Sequence, residues 1–324
     1  MAKPLDLWVL SDGRAGHDAQ SLGLAEALAR QRPVTIRTVN TTLPIWARVL
    51  PPALAKAIGS IVPGWPEPAC QSEGPAQGTQ PDLIISTGRR AGLVAASLRR
   101  KTGARAVQIL DPKLGTTAFD AMILPDHDTT HGDNVLRTVG AMTRLTPERV
   151  AKVASDWATR LPGPERSRLA VLVGGPSTSA TFTGTDGEAL IIALAALANH
   201  HTLIVTTSRR TPEALTKTLQ TELPDTATVW TPEQDNPYPA MLGHADAVLV
   251  TEDSVNMASE AATVGLPVHV FPINSVAAKL TAFHRQLTAR GASRRFEGKI
   301  ETWSYPRLAE ADRIAGEVIE HLSL

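Results

Sequence analysis

The stretch AVLVTEDSVNMASEAATVGLPVHVF, at Ala247–Phe271, constrains the fold of this chain more than any other. Two short apolar runs rich in β-branched residues, Val248–Val250 and Val268–Phe271, predict buried strands. Between them the sequence predicts a helix of about ten residues that ends at Gly265, with Pro267 close behind. Strand, helix and strand in this order form a βαβ unit, so we expect the two strands to be parallel.

Polar residues lie between the first strand and the helix of this unit. In parallel sheets this position is the ligand crevice, and the N–H groups at the helix start favour an anion there. The candidate binding residues are Asp253, Ser254, Asn256, Met257 and, further along the helix, Glu260. A carboxylate at Glu260 suits a hydroxyl-bearing group such as ribose. Many βαβ units bind nothing, so the other strand ends must be considered too.

Three more strands predicted in this half of the chain, Leu169–Val173, Thr202–Thr206 and Thr228–Trp230, also end in small, hydroxylic or cationic residues. Glycine allows a close backbone approach, and the arginine guanidinium suits bidentate phosphate contacts. Parallel strands bring their carboxyl ends to one sheet edge, so we predict a phosphate-bearing ligand there. The further candidate residues are Gly174, Gly175, Ser177, Thr178, Ser208, Arg209, Arg210 and Asn236.

The chain begins with a predicted strand, Leu5–Leu10, a glycine-rich turn and a helix over roughly Asp18–Arg30. The turn has neither the GxGxxG pattern nor the P-loop Lys-Ser/Thr, so it predicts neither a dinucleotide nor a Walker site. His17 is a candidate general base, because histidine titrates near neutral pH. The alternative is a histidine that only caps or packs. The other candidates of the turn are Asp12, Gly13, Arg14 and Gly16.

Two more strands in the first half lead into polar residues. Asp82–Ser86 precedes the binding candidates Gly88 and Arg89, and Ala106–Leu110 precedes Asp111, a second alternative to His17 as the base after Asp12. The segment 126–134 holds two histidines and three aspartates, but their spacing in a loop is a weak metal signal. We interpret it as a polar loop and expect no metal site and no cofactor.

Composition restricts the partners. A chain of 324 residues favours two domains, and 32 basic against 32 acidic residues give no field that would attract nucleic acid. Cys70 is the only cysteine, so we expect neither disulfides nor a thiolate zinc site, consistent with a cytoplasmic location. The Pro/Gly/charge stretch Leu161–Ser167 predicts the boundary between domains 1–160 and 161–305, with 306–324 as a helix that packs back on the first domain.

The segment Ile45–Val62 is apolar and sparsely charged, with Pro51 and Pro52 near its centre. A pair of core helices is one interpretation, and peripheral contact with a membrane or a lipid acceptor is the other. No apolar run reaches the length of a membrane span. We therefore expect a cytoplasmic protein, with peripheral association at the inner membrane as the alternative.

Six motifs spread over nearly the whole chain resemble the mitochondrial-fission ELM family: SDGRAGHDAQSLGLAEAL, ISTGRR, PDHD, LVGGPS, TSRRTP and VTEDSVNMASEA. More distantly, the chain is similar to glycosyltransferases of the GT-B type, such as the lipid-linked N-acetylglucosaminyl transferase of peptidoglycan synthesis. This resemblance implies an α/β fold with two Rossmann-like domains facing across a cleft. It also implies a nucleoside-diphosphate sugar, of UDP type, in the second domain and no metal requirement.

The same resemblance implies roles for particular residues. Those transferases have a glycine-rich loop with a histidine in the first domain, as at Gly13–His17, and a Gly-Gly-Ser-type donor loop, as at Gly174–Ser177. They also use a helix start and a downstream glutamate that holds the ribose, here Ser254 and Glu260. Asp253 stands where their motif often has Ser-Gly.

The leading hypothesis is inverting, metal-independent glycosyl transfer to an unidentified acceptor, with a lipid-linked or cell-envelope glycan as the class considered. His17 would take the acceptor proton, while Arg209 and Arg210 would stabilise the diphosphate. The alternative is a non-catalytic adaptor, as the family name suggests for eukaryotic members. A dinucleotide-dependent epimerase is disfavoured, because neither Tyr238 nor Tyr305 has a lysine four residues on.

Overall fold

The structure is a computed structural model that describes residues 3–41, 80–161, 166–231 and 237–324. The chain divides into two compact units. Unit 1 is Met1–Arg144 with Ala309–Leu324, and unit 2 is Leu145–Leu308. The segment 45–62, for which membrane contact was considered, and the binding candidate Asn236 lie outside the described residues.

The described part of unit 1 contains a six-stranded parallel sheet with the order β2-β1-β3-β4-β5-β6. Its helices include α1, which follows β1, and α2, which follows β3. The bounds are β1 Leu5–Ser11, α1 Ala15–Gln31, β2 Val34–Asn40, β3 Leu83–Thr87, α2 Gly88–Thr102, β4 Arg105–Ile109, β5 Ala121–Pro125 and β6 Val135–Thr138, with a 3₁₀ turn at Thr116–Ala118.

The sheet of unit 1 is covered on both faces, which explains why inner strands such as β3 and β5 are buried along almost their whole length rather than at alternate positions. Along β1, Leu7 and Val9 pack in one cluster with Leu24 of α1, whereas Leu10 packs in another with Val94 of α2. β3 is buried at all five positions. Burial of these strands from both sides places the polar residues of the unit at the strand ends.

Unit 2 has a second six-stranded parallel sheet, with the order β10-β9-β7-β11-β12-β14. A short antiparallel pair, β8 with β13, lies beside it. The bounds are α3 Pro147–Trp157, β7 Arg168–Val173, β8 Ala180–Thr181, α4 Gly184–Leu197, β9 Thr202–Thr207, α5 Glu213–Glu222, β10 Ala227–Trp230, α6 Tyr238–His244, β11 Ala247–Thr251, α7 Val255–Val264, β12 Val268–Phe271, β13 Ser275–Val276, α8 Ala278–Ala289 and β14 Ser293–Arg295.

Local sequence explains several helix ends in unit 2. Thr183 and Asp186 form a reciprocal capping box at the start of α4. Ser254 accepts a hydrogen bond from the N–H of Met257 at the start of α7, and Gly265 ends that helix with a φ of 94°. α5 begins at Glu213, directly after its N-cap residue Pro212.

The strand order of each sheet identifies where a ligand crevice forms. In unit 2 the strands run outward from β7 in one direction and from β11 in the other, so the order reverses between these two neighbours. In unit 1 the same reversal lies between β1 and β3. Ligands of open α/β sheets bind at the carboxyl ends of the strands at such a switch point. The loops after β7 and β11, and after β1 and β3, are therefore the candidate binding loops.

A final helix, α9 at Glu310–Leu322, packs on α1 in unit 1. Its residues Ile314 and Val318 lie in the same core cluster as Leu24 and Leu28. Unit 2 begins at Leu145, upstream of the stretch 161–167 at which the sequence places a boundary, because α3 packs on α6. Among the described residues, none of the helices combines the length and apolar character needed to span a bilayer.

Candidate functional site

In unit 2, backbone N–H groups of the loop after β7 bind side chains of the loop after β11. The N–H of Gly174 donates to Thr251 Oγ1 at 2.8 Å, and the N–H of Gly175 donates to Asp253 Oδ2 at 2.9 Å. Thr251 Oγ1 in turn donates to Asp253 Oδ1 at 2.7 Å. The Asp253 side chain is 0% exposed. The two loops at the switch point thus form a single hydrogen-bonded unit.

This contact explains the two glycines. A Cβ on Gly174 would lie 2.2 Å from Asp253 Oδ2, and a Cβ on Gly175 would lie 2.1 Å from the carbonyl oxygen of Arg210. The sequence predicted that glycine serves close approach of a ligand. The structure adds a close approach of the chain to itself, which any side chain at these positions would disrupt.

Arg210 lies in the loop after β9, and its guanidinium binds groups of the loops after β7 and β11. Its Nη2 donates to Asp253 Oδ2 at 2.7 Å, and its Nη1 donates to the carbonyl oxygens of Gly175 and Pro176. The ion pair balances the buried charge of Asp253, so removal of either partner would leave the other charge uncompensated. Arg210 therefore stabilises the loops themselves.

Other predicted residues of unit 2 lie around this core of hydrogen bonds. Ser177, Thr178 and Arg209 are exposed, and Ser208 Oγ accepts a hydrogen bond from the N–H of Arg210 at 3.2 Å. Asn256 lies in the first turn of α7, next to Met257. The exposed hydroxyls and Arg209 thus follow the carboxyl ends of β7 and β9, at the same edge of the sheet as the start of α7.

Glu260, the predicted ribose residue, pairs with Tyr238 at the start of α6. Tyr238 Oη donates to Glu260 Oε2 at 2.7 Å. Burial raises the pKa of the Glu260 carboxyl to about 7, although the hydrogen bond from Tyr238 acts to lower it. Burial and the nearby carboxylate raise the pKa of Tyr238 well above its ordinary value. Near neutral pH the pair therefore holds Glu260 between its charged and neutral forms.

In unit 1, the loop after β1 brings Asp12 and His17 together. His17 Nδ1 lies 3.1 Å and 3.2 Å from the two carboxylate oxygens of Asp12, whose side chain is 1% exposed. Burial by itself would raise the pKa of Asp12, but the interactions with His17 and Arg14, including hydrogen bonds from the His17 side chain and the Arg14 N–H, together outweigh it and the pKa is lowered. An ionised Asp12 only accepts, so Nδ1 donates to it, and in the neutral imidazole this tautomer leaves on Nε2 the lone pair that a general base requires.

The neighbouring loop after β3 fixes the position of this imidazole. Gly88 has a φ of 73°, and a Cβ there would lie 2.5 Å from Cε1 of His17. Ser21 of α1 and Thr87 of β3 share a hydrogen bond of 2.6 Å next to this contact. The half-buried imidazole therefore packs directly on the backbone at the start of α2.

The remaining candidates of this turn have supporting positions. Gly13 has a φ of 77° and donates its N–H to Ser11 Oγ, while Gly16 lies in the first turn of α1. Arg14 Nε lies 3.9 Å from Asp12, and Arg89 is half-buried in the first turn of α2. The loop thus leaves the exposed Arg14 as a cation beside the Asp12–His17 pair.

Sequence reasoning missed Asp18, which follows His17 directly. Its Oδ1 is buried and accepts no hydrogen bond from the described residues. Burial raises the pKa of Asp18, and the charge of Asp12 adds to the effect while a hydrogen bond from Ser11 opposes it. Acidic residues are common in the first turn of a helix, so the sequence gives no sign that this particular carboxylate is buried.

Asp111, proposed as an alternative base, lies in a different cluster. Its carboxylate accepts hydrogen bonds from Lys113 Nζ at 2.7 Å and from Thr130 Oγ1 at 2.6 Å. Burial would raise its pKa, yet these bonds lower it, so the carboxylate is a poor proton acceptor. Within the described ranges, no three His, Cys, Asp or Glu side chains gather as a metal site, the segment 126–134 included.

The chain matches the family description "Mitochondrial fission ELM1" over residues 15–322. The "Mitochondrial fission protein ELM1" of Arabidopsis thaliana is 28% identical over 274 residues, which cover 75% of this chain and 64% of the plant protein. The chain therefore spans less than two thirds of that relative's length. The "Uncharacterized protein RP120" of Rickettsia prowazekii (strain Madrid E) is 26% identical over 367 residues and 98% of each chain is covered.

Solved structures with the same fold include an enzyme of known activity. The UDP-GlcNAc 2-epimerase of Methanocaldococcus jannaschii has a TM-score of 0.59 at 11% identity, with 98% of this chain and 100% of the epimerase covered. The same enzyme in complex with UDP-GlcNAc and UDP has a TM-score of 0.55 at 10% identity, with 98% of this chain and 100% of the epimerase covered. This likeness confirms the predicted α/β fold of GT-B type. By the match over nearly its whole length, the chain belongs to the mitochondrial fission ELM1 family.

Proposed function

We propose that this protein is a glycosyltransferase. It transfers the sugar of a nucleoside-diphosphate sugar, of UDP type, to a hydroxyl of an acceptor, with inversion and without a metal. The observation that carries the proposal is the Asp12–His17 pair at the switch point of the first sheet. A buried carboxylate that holds Nδ1 leaves Nε2 to take a proton, as general-base catalysis requires. The UDP-GlcNAc complex of the structurally similar epimerase supports the choice of donor.

Residues of each unit have a role in the proposed reaction. In unit 1, His17 Nε2 takes the proton of the acceptor hydroxyl as its oxygen bonds to the anomeric carbon of the sugar. The bond from that carbon to the diphosphate breaks, and the nucleoside diphosphate leaves with the electron pair. In unit 2, Arg209 and the N-terminus of α7 oppose the charge of the diphosphate, while Glu260 holds the ribose. A lipid-linked or cell-envelope glycan is the acceptor class we propose, at a cytoplasmic or peripheral inner-membrane location.

The first test is a thermal-shift screen with UDP, GDP, ADP, CMP and their sugars. A ligand at about 100 times its Kd stabilises the native state by about 2.7 kcal/mol, which the screen detects. We expect a UDP compound to give the shift. Release of UDP from the bound sugar nucleotide, with water as acceptor, then gives a rate. His17→Ala should lower this rate about 10²- to 10⁴-fold and leave the thermal shift unchanged.

His321→Ala is the matched control, because His321 is an exposed histidine of the same unit and lies on α9. We expect it to retain the wild-type rate. A His17→Ala variant with an unchanged rate would remove His17 from the mechanism. A folded protein that gives no shift with any nucleotide would overturn the donor site as well.

A second candidate function is a non-catalytic adaptor with a transferase-like fold. The observation that favours it is the Arg210–Asp253 ion pair. In this pair, the guanidinium that was expected to bind the diphosphate binds a carboxylate of the protein instead. An adaptor would retain its protein partner in pull-downs after Glu260→Ala and without any nucleotide. Loss of the partner in that variant, together with a nucleotide thermal shift, would favour the transferase.

A further inference from the structure

Tyr238 and Glu260 meet because of the topology of unit 2. α6 leads into β11 and α7 leads out of it, and both connections cross the sheet in the same direction. Right-handed crossovers in one direction place their helices on the same face of a sheet. α6 and α7 are therefore neighbours, with the start of α6 on the side of the strand ends that form the crevice.

The hydrogen bond between the two side chains has a defined direction. Tyr238 Oη donates to Glu260 Oε2 at 2.7 Å, which uses the only proton of the phenol. The phenol oxygen still has lone pairs, and the second carboxylate oxygen, Oε1, can accept as well. The pair therefore offers two acceptor atoms, one from each residue, that are fixed relative to each other.

Two adjacent acceptors match two adjacent donors. The ribose of a nucleotide presents the vicinal 2′- and 3′-hydroxyls, each of which can donate one hydrogen bond. We propose that Tyr238 is a specificity-determining residue of the nucleotide site, which accepts one ribose hydroxyl while Glu260 accepts the other. The inference rests on the proposed function, because it assumes that a nucleotide binds in unit 2.

The proposal predicts discrimination between nucleotides that differ by a single oxygen. A site built to bind a hydroxyl rejects an analogue without it, because the half-buried acceptors are left unpaired. We expect 2′-deoxy-UDP and 3′-deoxy-UDP each to bind the wild-type protein at least about tenfold more weakly than UDP, measured by isothermal titration calorimetry. Ionisation of Glu260, whose pKa is about 7, supplies the charged acceptor at pH 8.

Tyr238→Phe keeps the ring and removes the acceptor oxygen. If Tyr238 accepts a hydrogen bond from one ribose hydroxyl, this variant binds UDP about tenfold more weakly. It then no longer distinguishes UDP from one of the two deoxy compounds. If Tyr238 only joins α6 to α7, the variant weakens all three nucleotides by the same factor and the ratios stay as in the wild type. Unchanged ratios overturn the proposal.

Tyr305→Phe is the matched control. Tyr305 is the other tyrosine of the chain and also lies in unit 2, where its Oη donates to the carbonyl oxygen of Leu266 at 2.6 Å. We expect this variant to keep the wild-type ratios. Equal binding of UDP and both deoxy compounds to the wild type overturns the inference but leaves the proposed function standing. Failure of UDP and every other nucleotide to bind overturns both.

Discussion

At the scale of single residues, Glu260 makes stability depend on pH. Burial raises the pKa of its carboxyl from 4.5 to about 7, so between these values the folded protein holds a proton that the unfolded chain releases. Stability from this group is therefore present below about pH 4.5 and is lost as the pH rises through 7. The sign is opposite to that of a salt-bridged carboxylate.

We predict that Glu260→Gln removes this dependence, because a glutamine stays neutral throughout. The melting temperature of the variant minus that of the wild type should increase from pH 5 to pH 8, and most of this increase should occur below pH 7. Circular dichroism melts at four pH values check it. Glu222→Gln, an exposed glutamate on α5, should show a constant difference, and the same result for Glu260→Gln would contradict the pKa shift.

At the scale of elements, the loops after β7 and β11 tolerate no side chain at Gly174. An alanine there would place its Cβ 2.2 Å from Asp253 Oδ2 and disturb the hydrogen bonds of Thr251 and Arg210. We predict a loss of about 2 kcal/mol in the free energy of unfolding from overpacking, measured by urea denaturation. The variant should also lose the nucleotide thermal shift.

Gly184→Ala provides the control for this loop. Gly184 begins α4, and a Cβ there meets no atom within 4 Å. Because alanine has the higher helix propensity, we expect unchanged or slightly increased stability. Equal effects at both glycines would show that backbone freedom, rather than the contact with Asp253, requires glycine in the loop.

The elements also show what the sequence could reveal. The β-branched runs predicted β11 and β12, and Gly265 predicted the end of α7, because these signals are local. The edge strand β14 was missed, since its residues, Ser293–Arg295, have no apolar pattern.

In the candidate sites, the polar residues were predicted at the strand ends, but their partners were not. Arg210 follows β9 and Asp253 follows β11, 43 residues later, and their loops meet because both strands flank β7 in the sheet. Tyr238 and Glu260 likewise meet through the order of the strands. Pairings that depend on sheet order leave no local trace in a sequence, so the prediction of Arg210 as a phosphate ligand did not include its ion pair with Asp253.

At the scale of the whole molecule, α9 completes unit 1. Ile314 is fully buried in a cluster with Leu24 and Leu28 of α1. We predict that Ile314→Ala destabilises unit 1 by about 2–5 kcal/mol. Hydrogen exchange measured by mass spectrometry should quicken in peptides of β1 and α1 and stay unchanged in those of β7 and β11.

Ile192→Ala is the corresponding control, because Ile192 on α4 is 72% exposed and its removal should change stability by less than about 0.5 kcal/mol. Faster exchange in both units of the Ile314→Ala protein would show that the two units unfold together, contrary to their separate cores.

The return of α9 to unit 1 also sets an order of events during synthesis. The ribosome releases β1 to β6 first, yet one face of their sheet receives part of its cover only with residues 310–322, after all of unit 2. At 5–20 residues per second, unit 2 takes roughly ten to thirty seconds to emerge. Throughout that interval Leu24 and Leu28 lack their partners from α9, so unit 1 begins to emerge before unit 2 and is completed only after it.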